Sequence, residues 1–196
     1  MLSIPYWKYK KTSISDNMRI LHHDSFEESY LDAYFDERYF RLYHSMGNIK
    51  ESIPDWMRFR TAETQDMCLI VSIINQSYTD IQVDLSQIME YTKTVVYDPN
   101  LWIIAIDRKT NKPIGCGIAD YDNEVEEGIL EWIQVLPEYR KKGVGSAIVR
   151  QLLHRLSSKA GFTTVSGKID PFSNPERLYR KCGFTGNDMW HVLRLK

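Results

Sequence analysis

The sequence has almost no excess of charge: 25 Lys and Arg stand against 26 Asp and Glu, a net charge of -1 over 196 residues. A field that weak steers neither nucleic acid nor an acidic membrane surface toward the chain, so neither is expected as a partner. The nearest thing to a basic cluster, "KYKK" at Lys8 to Lys11, reads as a solvated face. Cysteine is scarce as well. Cys68, Cys116 and Cys182 are far apart, odd in number and without a CxxC pair, which argues against a disulfide framework or a zinc site and fits a reducing compartment. No apolar run approaches the roughly 18 residues of a membrane span. The opening "MLSIPYWKYKK" puts its charges after its apolar residues, the reverse of a signal peptide, and a cytoplasmic protein is expected. There is no GxxxxGK[ST] phosphate loop, no internal repeat and no low-complexity segment.

What is present is an ordinary globular composition, 43% hydrophobic and 26% charged, in a chain long enough to bury a sizeable core as one domain. The aromatics are uneven, with 11 of the 24 in residues 1–56. Disordered tails are poor in aromatics, so residues 1–56 are expected to be an extension that packs on a main domain of residues 57–196. Within it, Phe26, Tyr30 and Ala33-Tyr34 recur at helical spacing, with Ser25 and Glu28 as a capping box. From "MRFRTAE" onward the pattern is regular. That short strand precedes a helix capped by Thr64, with Met67, Ile70, Val71, Ile74 and Tyr78 as its apolar face, and then a shorter helix in "VDLSQIMEYTKT". Strands are expected at 101–107, 113–121 and 128–136. Val144, Ile148, Leu152 and Leu156 then mark one face of a helix ending near Gly161. "FTTVSGKI" is strand-like, "NPERLYRKCGF" is a short helix capped by Asn174, and "MWHVLRL" closes the chain as a strand. The order gives a mixed α/β fold with a mostly antiparallel start and one strand-helix-strand crossover.

The informative stretch is the junction "VLPEYRKKGVGSAIV", Val135 to Val149. A helix start leaves backbone N–H groups without partners at the positive end of the helix dipole. Glycines let a ligand approach that backbone, and Arg140, Lys141 and Lys142 add charge, so the junction has the makings of an anion site suited to a diphosphate. A dinucleotide fingerprint fails, because Ile148 stands where a third glycine belongs. A basic surface turn before an ordinary helix is the competing reading. The junction resembles the cofactor motif of the GNAT superfamily of N-acetyltransferases, V-x-P-x-x-[RQ]-x-x-G-x-[GA] between strand and helix: Val135, Pro137, Arg140, Gly143 and Gly145 match. "NPERLYRKCGF" is similar to that family's second segment, ending in Y-x-x-x-GF. The resemblance spans Trp56 to Lys196 and omits the extension.

It implies a twisted mixed sheet with splayed central strands, flanked by helices, with acetyl-CoA as cosubstrate. By position, Arg140, Lys141, Lys142, Gly143, Val144, Gly145 and Ser146 would hold the diphosphate. Ile133, Gln134 and Val135 would bond the pantetheine arm through their backbone, one N–H polarising the thioester carbonyl. Asn174 would join the cofactor site, although it stands five residues before Tyr179 where the family usually has seven, and a helix cap is the equal alternative. Acetyl transfer to an amine calls for a base to take the amine's proton and an acid for the departing thiolate. The resemblance makes Tyr179 the acid. Glu131 is the candidate base, on the assumption that residues 129, 131, 133 and 135 share one strand face, with Glu127 and Asp120 in reserve. Cys182 beside Tyr179 reads as a small buried thiol, and His191 as packing rather than as an acceptor contact. The adjacent histidines of "HHD" (His22 to Asp24) lack a second cluster, so no metal is expected. The expected function is transfer of an acetyl group to a primary amine on a small molecule or peptide. The alternatives are an inactive CoA-binding regulatory module and a nucleotide-binding protein. Oligomeric state is open, with a homodimer the commonest outcome for a soluble enzyme.

Overall fold

In the computed structural model, residues 15–47, 49, 53–77, 81–169 and 174–196 are described. "KYKK" and Tyr78 lie outside them. The described residues form eight strands flanked by helices: β1 Met18–His22, β2 Tyr34–His44, β3 Met57–Thr61, α1 Met67–Ser77, α2 Leu85–Tyr91, β4 Trp102–Asp107, β5 Pro113–Asp122, β6 Glu127–Val135, α3 Val144–Leu156, β7 Phe162–Lys168, α4 Glu176–Lys181 and β8 Thr185–Leu195. The mixed α/β class is the one expected. The chain divides into two compact units, Met1–His44 with Thr164–Lys196, and Ser45–Thr163.

In the unit of residues 45–163 the strands run in the antiparallel order β6-β5-β4-β3. One face is covered by α1 and α2. Ile70, Ile73, Ile74 and Ile88 pack there with Trp102, Ile104, Ile106, Cys116 and Ile118, and Trp132 and Tyr139 lie against them. Burial pushes the Cys116 thiol up to about 12. The other face carries α3, whose Val144, Ile148, Leu152 and Leu156 are all buried. Two β5 glycines make that packing close. A Cβ on Gly117 would stand 2.4 Å from Ile148 Cγ2, and one on Gly115 would stand 3.2 Å from Ile148 Cδ1. The start of α1 differs in detail from expectation. Glu63 rather than Thr64 opens it, through a reciprocal capping box with Asp66. The Arg60 guanidinium holds the Asp66 carboxyl below its ordinary value, at Nη2–Oδ1 2.6 Å.

In the other unit β8 lies between β1 and β2, antiparallel to both. Here the expected helix over Phe26 to Tyr34 is corrected. Residues His23–Ser25 and Glu28–Asp32 form single 3-10 turns, and Tyr34 onward is strand. Ser25 and Glu28 form no capping box; the second turn has Glu27 at its cap without a side-chain bond. The spacing still produces contacts: the Tyr30 ring lies 6.3 Å from those of Phe26 and Tyr34. The aromatic and alternating run that follows fits a pleated surface better than a helix. Because β8 has β1 on one edge and β2 on the other, a chain starting at residue 45 loses both neighbours of its last strand. Such a truncation is expected to lose most soluble expression and to bind a hydrophobic dye. Soluble yield equal to full length would contradict this.

Candidate active site

The junction forms within residues 45–163. β6 ends at Val135, residues Pro137–Tyr139 make one 3-10 turn, and α3 begins at Val144. The ladder fixes which β6 groups face outward. Leu136 N donates to Ile114 O at 3.0 Å, which makes that pair hydrogen-bonded. Opposed pairs in an antiparallel ladder alternate. Gln134 and Trp132, opposite Cys116 and Ile118, therefore give their backbone groups to β5, whereas the N–H and C=O of Ile133 and Val135 point away from β5 toward the opposite edge of β6. Of the three residues expected to bond a pantetheine arm, Ile133 and Val135 have the needed backbone direction. Gln134 does not, and it is buried. The Val135 carbonyl accepts from Arg140 Nε at 3.3 Å and from Ser77 Oγ at 3.4 Å.

Arg140 donates Nη2 to Ser77 O at 2.6 Å, so its guanidinium ties the end of α1 to the end of β6. Residues 63 positions apart make that contact, and nothing in the local sequence announces Ser77. The Lys142 ammonium lies 5.1 Å from the centre of the Tyr139 ring. Lys141 and Gly143 both take the left-handed conformation, with φ of 62° and 86°. Gly143 is the N-cap of α3 and offers no side-chain cap. The first helical bond is Ala147 N to Gly143 O, so the N–H groups of the turn before it lie ahead of the helical ladder at its positive end. Alternation of left-handed and ordinary backbone beside such a helix start is the geometry of an anion concavity. The backbone from Lys141 through Val144 and Gly145 to Ser146 thus fits a diphosphate.

Glu131 is corrected in its facing. The β5–β6 register shifts between Ile118/Trp132 and Ala119/Leu130, leaving Glu131 as the extra residue of a β-bulge. Ile133 and Val135 lie opposite Gly117 and Gly115 on the α3 side, but Ile129, opposite Asp120, falls on the other side with Trp132 and Gln134. The four residues 129, 131, 133 and 135 therefore do not share a face. Glu131 is half-buried, while the reserve carboxylates Asp120 and Glu127 are 0% and 1% exposed, out of reach of solvent.

Tyr179 and Asn174 belong to the other unit. Tyr179 sits on α4, 8% exposed, with ring centres of Phe40 and Phe184 at 6.2 and 5.9 Å. Gly183, just past that helix, has φ of 95°. Asn174 Oδ1 accepts from Arg177 N at 3.0 Å, the bond of a helix cap. Cys182 is buried and forms no disulfide. His191 bonds Asp36 Oδ1 through Nδ1 (2.9 Å) and His23 Nδ1 through Nε2 (3.0 Å), under a stacked Phe26 ring 3.9 Å away. That is packing, as expected. His22 turns instead to Asp188 (2.7 Å), so the adjacent histidines point apart, and among the described residues no group suited to a metal ion occurs. No described helix is long and apolar enough to cross a membrane.

Residues 98–186 match the acetyltransferase (GNAT) domain family. No curated protein matches the sequence. A GCN5-related N-acetyltransferase from Sphaerobacter thermophilus superposes with a TM-score of 0.73 at 14% identity, over 90% of this chain and 58% of that one. A GNAT-family acetyltransferase from Colwellia psychrerythraea gives 0.65 at 14% identity, over 90% and 64%. Ard1 from Thermoplasma volcanium gives 0.57 at 16% identity, over 71% and 97%. The chain thus spans less than two thirds of the first two proteins. These likenesses establish the fold. The match to the acetyltransferase (GNAT) domain family, a family whose cosubstrate is acetyl-CoA, covers just under half of the chain, from the turn before β4 to the start of β8.

Proposed function

We propose that the chain transfers an acetyl group from acetyl-CoA to a primary amine on a small molecule or peptide. The observation that carries this is the junction: the backbone of Ile133 and Val135, turned away from β5, leads through two left-handed residues into an uncapped helix start. Acetyl-CoA supplies the activated acyl group. In this reading the backbone from Lys141 to Ser146 binds the diphosphate, and the N–H groups of Ile133 and Val135 bind and orient the arm. Arg140 serves by fixing the loop to α1 and β6, and Lys141 and Lys142 add positive charge at its rim. Asn174, whose side chain accepts from Arg177 N at the start of α4, is proposed to adjoin the cofactor.

An amine resembling lysine carries a proton at neutral pH, with a pKa near 10. Glu131 is proposed to take that proton, at a bulge of the kind that re-aims a side chain beside an active site. The Tyr179 hydroxyl is proposed to give a proton to the departing sulfur. Glu131→Gln is then expected to lower turnover about a hundredfold at neutral pH and to abolish the acidic limb of the pH–rate profile, with acetyl-CoA affinity kept. Wild-type turnover across the pH range would remove Glu131 from the mechanism. Binding of acetyl-CoA with no amine-dependent release of CoA from any acceptor would favour the alternative, a CoA-binding module without transfer.

A further inference from the structure

A cavity of about 550 Å³ opens within residues 45–163, where α3 lies beside the edge strand β3. That volume is in the range of small-molecule sites. Arg58, Arg108 and Arg155 line it with Gln151, and Asp55 is the one acidic residue of the lining among the described residues. Gln151 and Arg155 are four positions apart on α3 and so share a helix face. Ile53, Pro54, Met57 and Phe59 supply the apolar part of its lining.

The three arginines are held by neutral acceptors. Arg58 Nη2 donates to Asn111 Oδ1 (2.8 Å) and Arg108 Nε to Met57 O (2.9 Å). Arg155 Nη1 donates to Thr61 Oγ1 (2.9 Å) and Asn100 O (2.5 Å). Among the described residues none of the three forms an ion pair, unlike Arg60, Lys159 and Arg180, which each have a carboxylate. Among the described residues Arg108 spends only Nε and neither terminal amino group has a partner. Burial also pulls Arg155 below its ordinary pKa, against the opposing pull of Asp98. Like charges gathered around one cavity repel each other, and an anion seated among them removes that cost. Guanidinium groups bind phosphate and carboxylate through paired N–H donors, and neutral tethers hold these three in place without spending their charge.

We infer that this cavity is a binding site for a small organic anion, one bearing a phosphate monoester or paired carboxylates on an apolar body. The site is separate from the junction and does not depend on acetyl transfer. The test is calorimetric titration of the full-length protein with phenyl phosphate and with phthalate, against inorganic phosphate and phenol as controls. Saturable 1:1 binding of phenyl phosphate or phthalate is expected, at least tenfold tighter than either control. Which of the two binds identifies the headgroup. Arg108→Ala should weaken that binding tenfold or more, and so should Arg58→Gln, a second variant should the first alter folding by circular dichroism. Gly143→Val, in the other anion concavity, should leave it unchanged. Absence of saturable binding by both compounds would overturn the inference. So would binding that survives Arg108→Ala and Arg58→Gln but is lost in Gly143→Val.

Discussion

Tyr179→Phe is expected to lower kcat by a factor of about 10² to 10⁴, the range that a positioned general acid contributes, while leaving acetyl-CoA affinity within about twofold. The ring lies between Phe40 and Phe184 and is nearly enclosed, so the variant keeps the packing and loses only the hydroxyl. Because the ring's packing is kept, kcat is the quantity expected to move. The effect should also depend on the leaving group. A thiolate that needs no proton to depart gains little from an acid. An acetyl donor with a thiol of much lower pKa should recover part of the lost rate in the variant but gain nothing in the wild type. Wild-type kcat in Tyr179→Phe would mean that the departing sulfur takes its proton from elsewhere.

The second large effect is expected at Gly143. Its φ of 86° lies where an L side chain is strained, and a β-branched residue is a marked outlier there. No atom lies within 4 Å of a Cβ built at this position, so the penalty in Gly143→Val is one of backbone conformation and not of collision. That strain is about 1–2 kcal/mol, and it is relieved if the turn flips to ordinary dihedrals. Such a flip would turn the N–H groups ahead of Ala147 away from their common centre. Acetyl-CoA affinity should fall about tenfold or more, with only a small loss of stability, because α3 keeps its buried face. Gly143→Ala should fall between the two. Undiminished binding in Gly143→Val would mean that the left-handed cap is not what holds the diphosphate.

The parts of the fold that could be read in advance are those in which local pattern and burial coincide. β4 is a short apolar run enclosed on both faces, and α3 has a four-residue repeat that becomes its buried face. The junction was legible because its glycine and its charges are contiguous in sequence. The failures have physical causes. Phe26, Tyr30 and Tyr34 match a helical spacing, yet the spacing belongs to a 3-10 turn followed by a strand, and pairing with β8 overrides local preference. A one-residue slip leaves no mark in an alternating strand, so the bulge at Glu131 and the facing it changes were invisible. The Arg140 guanidinium looked like part of the anion site because of its neighbours. Its actual acceptors, Ser77 O and Val135 O, come together only when α1 packs at the end of β6.

The central claim is that the junction from Ile133 to Ser146 binds acetyl-CoA, and calorimetric titration of the full chain tests it most directly, with ATP and NAD as controls. Micromolar 1:1 binding of acetyl-CoA, with neither control binding comparably and with the affinity lost in Gly143→Val, is the predicted result. No binding of acetyl-CoA, or equal binding of ATP or NAD, would contradict it, and the roles proposed for Glu131 and Tyr179 would fall with it.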